Sequence, residues 1–486
     1  MAKSAAQKPW EHAKAGDGSG TDPIAARFVS SLDTDRRMYK QDIAGSRAHV
    51  RMLEHVELLT ADQRRTIEQG LDQIESEIEA EGEAWSGWRT ELEDVHMCIE
   101  AALIERVGEV GQMLHTGRSR NDQIATDLLL WIEDAAAALD DQFTDLLAAF
   151  VELAERDGRL VMPSYTHLQR AQPIVAGAEL LGWAAALDRS RRRLMALKGI
   201  NQRNPLGAGA IAGSGLPLDR SHTSAALQIG PPNLNSIDAT ATRDAAIDFV
   251  YALSMTAMTL SRWAEQWIIY ASTEFGFLQL DARYTTGSSM MPQKQNPDML
   301  ELIRGRCGDL YGRLNALLTM CKGLTVGYNR DLQEDKRHII PAYDALSDCL
   351  AIAAGIVRTA RFDEARIGAG LDRGFLDATA LADYLVNRGV AFRRAHQLVG
   401  QLVQQCQQQG YDRLQDVPLA VLNGVCESDV TCDESVYQWL GPEQVVRRYQ
   451  SEGNAGLAGF EQQMTDWRQW LAQRGREPQS DAGNHG

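Results

Sequence analysis

The run from Gly287 to Asp298, GSSMMPQKQNPD, sets Ser288, Lys294 and Asn296 close together in a polar, glycine-led stretch. Packing a core calls for none of these. A serine beside glycine in a mobile loop can approach a bound molecule, and a lysine adds a formal positive charge. Asn296-Pro297 ahead of DMLELIRGR predicts a helix start, with Asn296 as N-cap, Pro297 as the first helical residue and Asp298 in the first turn. The free N–H groups at such a start attract anions. The combination suits a loop that binds an anionic molecule. The bland alternative is an interhelical loop whose asparagine only caps.

Further clusters lie elsewhere. HTGRSRNDQ, His115 to Gln123, puts Arg118, Ser119, Arg120, Asn121 and Asp122 just before a long apolar-periodic run. Ser119 with Asp122 fits a capping pattern, which explains the serine. It does not explain two arginines at a helix start, where the macrodipole disfavours cations, so a bound anion is expected there. MPSYTHLQRAQP, Met162 to Pro173, brackets Thr166, His167, Gln169, Arg170 and Gln172 with prolines and reads as a connecting segment. NRDLQEDKRH, after Tyr328, carries Gln333 and Lys336 and could equally be a solvated helix face. NPLGAGAIAGSGLPLDR is a small-residue loop with neither the lysine of a phosphate-binding loop nor the preceding strand of a dinucleotide turn. No metal-ligand spacing of the HExxH, CxxC or DxDxDG kind occurs, so no metal is expected.

The elements that must position these residues are helices. Between Gly117 and Gly158 there is neither glycine nor proline, and apolar residues recur at helical spacing, enough for a helix on the order of 50–60 Å. Similar runs follow Pro173, extend from about Ser236 to Phe275, begin at Asp298, and run from near Pro341 to about Phe362. Strand signals are nearly absent. The reading is all-α: an N-terminal helical domain over 1–115, a central long-helix bundle over 116–368 and a C-terminal helical domain over 369–486 ending in a polar, disordered tail. Apolar residues on more than one face of such long helices predict a homo-oligomer built on the bundle.

Totals narrow the partners. A chain of 486 residues with a net charge of -17 lacks the basic footprint of a nucleic-acid binder. Seven cysteines without a CxxC pair read as reduced thiols. No signal-type apolar segment opens the chain, and no run reaches the roughly 18–20 apolar residues of a membrane span, so a soluble cytoplasmic protein is expected.

GSSMMPQKQNPD resembles the signature loop of the fumarase/aspartase superfamily, whose members perform anti β-eliminations that release fumarate. LHTGRSRNDQIATDLLLW, YTHLQRAQPI, NPLGAGAIAG, NSIDAT, GSSMMPQKQNPDMLELIRGR and YNRDLQEDK, in that order, are together similar to the argininosuccinate lyase family and the related lens δ-crystallins. TDPIAARFVSSLDTDRRMYKQDIAGSRAH and LADYLVNRGVAFRRAH extend the likeness from about Thr21 to at least His396.

The resemblance implies a homotetramer with active sites shared between subunits, argininosuccinate as substrate, and no metal or organic cofactor. Carried onto this chain, it makes Ser288 the general base and His167 with Glu301 a charge-paired couple. Lys294 and Asn296 would hold the carboxylate whose charge grows. Ser119, Arg120, Asn121 and Thr166 would clamp the succinyl carboxylates. Ser31, Tyr328, Gln333 and Lys336 would contact the arginine side, and the last three match the argininosuccinate pattern rather than that of adenylosuccinate lyase. His167 and Thr166 are the candidates for protonating the leaving guanidinium. The chain departs from the family at Gln295, where a lysine is frequent, at Cys98, where asparagine is common, and around Trp10, where the usual Trp-Gly-Gly-Arg-Phe opening is missing. A lyase acting on another N-substituted aspartate, or a silent crystallin-like protein, would share most of these motifs.

Overall fold

Without glycine or proline to interrupt it, the stretch after Ser119 forms one 38-residue helix, Arg120–Asp157, in the computed structural model, which describes residues 22–426 and 430–476. At 1.5 Å per residue it is about 57 Å long. Four further long helices follow, Ala176–Asn201, Asp244–Ala271, Asp298–Cys321 and Lys336–Thr359. The fold is all-α, a bundle of long helices with shorter ones before and after. Trp10 with the residues after it, and the tail beyond residue 476, lie outside the described residues.

Three elements differ from expectation. The run from Ser236 to Phe275 is not one helix but Ser236–Ala241 and Asp244–Ala271. Thr242 is extended there, and the buried Arg243 guanidinium donates to the carbonyls of Thr240 and Thr242, which a continuous helix would have used. The fifth long helix starts at Lys336, so Pro341 sits inside it. Proline removes the N–H that would serve the Arg337 carbonyl. Arg313 donates to that carbonyl instead, at 3.2 Å.

MPSYTHLQRAQP is the third. It is a β-hairpin, Val161–Thr166 against Gln169–Val175, in which Thr166 pairs with Gln169 and leaves a two-residue turn. His167 and Leu168 both take positive φ, 54° and 58°, as the favoured mirror-image hairpin turn requires. Those two residues lack the asparagine or glycine that normally announces such a turn, which is why sequence patterning misses it.

The chain divides into two compact units. One comprises Met1–Leu139, Arg192–Met255 and Gly308–Leu346, the other Asp140–Arg191, Thr256–Cys307 and Ser347–Gly486, so the division cuts each long helix. In the first, the shorter helices from Leu32 to Leu114 enclose Ile43, Leu53, Ile67, Leu71, Ile74 and Leu103. Trp131 packs edge-on against Phe249 and Tyr343. In the second, Phe150 meets Trp263 and Trp267. The C-terminal helices build a separate core around Leu381, Tyr384, Leu398, Leu402, Leu414 and Val436. The Arg330–Thr359 stretch is long and apolar enough to cross a membrane by length and composition, yet it carries Asp344 and Asp348, and 56% of its most apolar window is buried as in a core helix.

Candidate active site

The signature loop is built on a short pairing. Thr286–Gly287 runs antiparallel to Gln295–Asn296, so the ends of the loop are tied and its middle stands free. The Ser288 hydroxyl oxygen accepts the N–H groups of Met290 at 3.3 Å and Met291 at 3.0 Å. Two convergent donors on one oxygen favour its anionic form, the condition a serine must meet to act as a base. Lys294 is exposed, and among the described residues its ammonium makes no hydrogen bond or ion pair. Pro297 accepts the first intrahelical bond, from Glu301 N–H at 3.1 Å, so the cap falls on Pro297, one residue later than the sequence predicts. Asn296 belongs to the strand pairing. Thr286 donates its hydroxyl to the Asp298 carboxylate, which steadies the junction of loop and helix.

His167 and Thr166 occupy the exposed tip of the hairpin. Glu301 is exposed on the first turn of its helix, and no hydrogen bond or ion pair joins it to His167 within the chain. Below the hairpin tip the Tyr165 ring packs on Tyr270, with centroids 6.3 Å apart. Tyr270 donates its hydroxyl to Glu179 at 2.9 Å, and Gln266 donates to the Tyr270 oxygen at 2.9 Å. Burial pushes the Glu179 carboxyl up to about 7. Nothing in the sequence singled out Glu179 or Tyr270. All the residues of these two paragraphs belong to the second unit.

The remaining candidates belong to the first unit. The Ser119 hydroxyl accepts the Asn121 N–H at 3.3 Å, and the Asp122 carboxylate accepts the Ser119 N–H at 2.9 Å, as the capping pattern predicts. The other Asp122 oxygen accepts the N–H groups of Gly207 at 2.9 Å and Gly209 at 2.8 Å, so one buried carboxylate ties the small-residue loop to the helix start. Burial raises the Asp122 pKa although these donors pull it down. The Asn121 amide donates to the Ala210 carbonyl at 3.1 Å in the same loop.

Both arginines have protein partners within the chain. Arg120 donates to Gln123 at 2.6 Å and Glu100 at 3.2 Å and faces Asp94 at 3.6 Å. Arg118 is buried and donates to Ser46 at 2.9 Å. Nearby, His96 lies between Asp42 at 2.9 Å and Asp127 at 3.3 Å, all three buried. This trio has the spacing of a cation site. Its charge is met from within: burial opposes the imidazolium, but Asp42, Asp94 and Asp127 outweigh it and raise the His96 pKa.

NRDLQEDK is not a solvated face at its C-terminal end. Asp335 and Lys336 are buried, with the Lys336 ammonium 2.8 Å and the Arg243 guanidinium 2.6 Å from the Asp335 carboxylate. Burial opposes ionisation of Asp335, yet the two cations outweigh it and hold the carboxyl below its usual range. Burial pushes the Tyr328 phenol up, while the Lys336 charge pulls it down. Gln333 donates to the Val29 carbonyl at 2.9 Å. Ser31 donates its hydroxyl to the buried Asp35, and Asp35 also accepts the Val95 N–H at 3.1 Å. Ser31, Gln333 and Lys336 are therefore brought to one locality by the polypeptide around Val29 and the turn before the fifth long helix.

Comparison with known proteins bears on the family. The lyase family profile matches residues 18–312, and that of the argininosuccinate lyase C-terminal region matches residues 375–447. The argininosuccinate lyase of Symbiobacterium thermophilum is 44% identical over 446 residues, covering 91% of this chain and 95% of that one. The chloroplastic argininosuccinate lyase of Arabidopsis thaliana is 43% identical over 441 residues, covering 91% and 84%. Among solved structures, EDDS lyase in complex with formate superposes with a TM-score of 0.78 at 26% identity, covering 94% of this chain and 93% of that one. With the profiles spanning most of its length and these relatives covering about nine-tenths of it, this chain belongs to the argininosuccinate lyase family.

Proposed function

We propose that this chain catalyses the reversible anti β-elimination of argininosuccinate to arginine and fumarate. The observation that carries the reading is the Ser288 hydroxyl, which accepts two backbone N–H groups on a loop that also presents an unpaired Lys294. A C–H next to a carboxylate is a poor acid, because removing its proton places a second negative charge on the same few atoms. Ser288 takes that proton. Lys294, Asn296 and the start of the Asp298–Cys321 helix meet the charge where it develops, which is electrostatic stabilisation of the transition state. Ser119, Arg120, Asn121 and Thr166 bind the succinyl carboxylates, Arg120 giving up part of its pairing with Glu100 to do so. Ser31, Tyr328, Gln333 and Lys336 receive the arginine portion, with the Lys336–Asp335–Arg243 set holding that wall rigid. His167, oriented by Glu301, or Thr166 beside it, passes the proton to the leaving guanidinium.

His167 and Glu301 share no hydrogen bond or ion pair within the chain, although the resemblance pairs them. This supports a site completed by neighbouring subunits of a homotetramer packed on the long helices of the 116–368 region, with 1–115 and 369–486 as outer domains. The enzyme is soluble and cytoplasmic in this reading. Purified protein with argininosuccinate should produce the ultraviolet absorbance of fumarate. No absorbance change with argininosuccinate, together with turnover of a different succinyl-amine, would reassign the substrate.

A further inference from the structure

Cys426 ends the helix Leu419–Cys426, and its sulfur lies 3.9 Å from that of Cys432. Both are buried in the C-terminal core, at 5% and 2% exposure. Their approach is held by more than apolar packing. Asn423, one helical turn before Cys426, accepts the Cys432 N–H at 2.7 Å and donates its amide to the Cys432 carbonyl at 3.0 Å. That two-point clamp fixes the Cys432 backbone against the helix that carries Cys426. A disulfide needs sulfurs about 2.05 Å apart, so the contact is short of bonding but needs no new neighbour.

The surroundings also make the two sulfurs unequal. Arg388, which donates to Asp433 at 2.7 Å and Ser435 at 3.1 Å, lies near Cys432. The Cys426 hydrogen bond, and then Arg388, lower the Cys432 pKa. Burial drives Cys98 and Cys349 the opposite way, to about 12 and about 11.

We propose that Cys426 and Cys432 form a dithiol that closes an intramolecular disulfide with hydrogen peroxide as oxidant. The Cys432 thiolate attacks one peroxide oxygen, the O–O bond breaks, and the departing hydroxide takes a proton to leave as water. The Cys426 sulfur then attacks the resulting sulfenic acid, the S–O bond breaks, and the Cys426 proton leaves with the second water. Two thiols are oxidised and one peroxide is reduced to two waters. An external dithiol reverses the bond by exchange. The bridge would staple the Leu419–Cys426 helix to the segment that leads into the short helix Glu434–Gln438, and it does not depend on the substrate assigned to the active site.

The test uses the full chain in its native state. It is exposed to hydrogen peroxide, quenched in acid and alkylated with iodoacetamide in denaturant, and its peptides are weighed. Cys426 and Cys432 are expected to lose alkylation together, at least about ten-fold faster than Cys98, following thiolate character. A peptide linked between them, lighter by two hydrogens, should appear and should vanish with dithiothreitol. In Cys426→Ser, dimedone should trap Cys432 as its sulfenic acid, and in Cys432→Ser, Cys426 should stay alkylatable. The assignment is overturned if both thiols remain alkylatable when peroxide oxidises free glutathione. It is equally overturned if either links to a different cysteine, or if both overoxidise without linking. Should either serine variant fail to fold, the linked peptide of the unmodified sequence decides alone.

Discussion

At the scale of single residues, Ser288 matters because of what surrounds its oxygen. A serine hydroxyl is a weak base in water, and the N–H groups of Met290 and Met291 are the local means of favouring its anion. Ser288→Ala should lower kcat by about 10²–10⁴-fold with little change in KM, since in the proposed role the hydroxyl acts on the transition state rather than on binding. Steady-state kinetics checks this, and an alanine variant with ordinary turnover would remove Ser288 from the role. Arg243 makes a different point. It lay in no motif, yet it is 3% exposed and paired with an equally buried Asp335. Arg243→Met should cost about 3–5 kcal/mol in denaturant unfolding, because it leaves a buried carboxylate with one cation in place of two. A loss under about 1 kcal/mol would mean that Lys336 alone satisfies Asp335.

At the scale of elements, the hairpin that lifts Thr166 and His167 is anchored by Tyr165, Tyr270 and Glu179. The folded-state pKa of Glu179, about 7, lies above its ordinary value of 4.5, so between these the folded chain holds a proton that the unfolded chain has released. Stability therefore falls as pH rises through that window and then levels off. Glu179→Gln keeps an acceptor for the Tyr270 hydroxyl and removes the titration. Its stability relative to the unmodified chain should be more favourable at about pH 8 than at about pH 5, measured by denaturant unfolding. A pH-independent difference would show that Glu179 does not titrate in this range. The elements also show how far patterning reaches. The Arg120–Asp157 helix follows from the residues between Gly117 and Gly158, because helix continuity is a local property. The break at Thr242 and the tolerated Pro341 do not, because each depends on a guanidinium competing for, or supplying, a bond to a backbone carbonyl.

At the scale of the whole molecule, the Asp298–Cys321 helix carries an otherwise costly feature. Gly305, Gly308 and Gly312 lie in its interior, and a Cβ added at any of them would meet nothing within 4 Å in the chain. Each costs roughly 1 kcal/mol of helix stability relative to alanine. The same helix exposes Leu302, Tyr311 and Leu318. In the proposed tetramer, close approach of another subunit would account for both. Light scattering on a sizing column should give four times the chain mass, and Gly308→Trp should shift the protein to smaller species and lower activity together. A monomer mass for the unmodified protein would end the shared-site proposal. What the sequence by itself determined was the order of the motifs, the helical class, the capping role of Ser119 with Asp122 and the grouping of Ser288 with Lys294, since these reside in neighbouring residues. Only tertiary structure decided that Arg120 is paired, that Asp335 and Lys336 are buried, and that His167 rides a β-turn. A polar side chain's partners and solvent exposure are set by segments far away in the chain, and no local pattern encodes which of them will arrive.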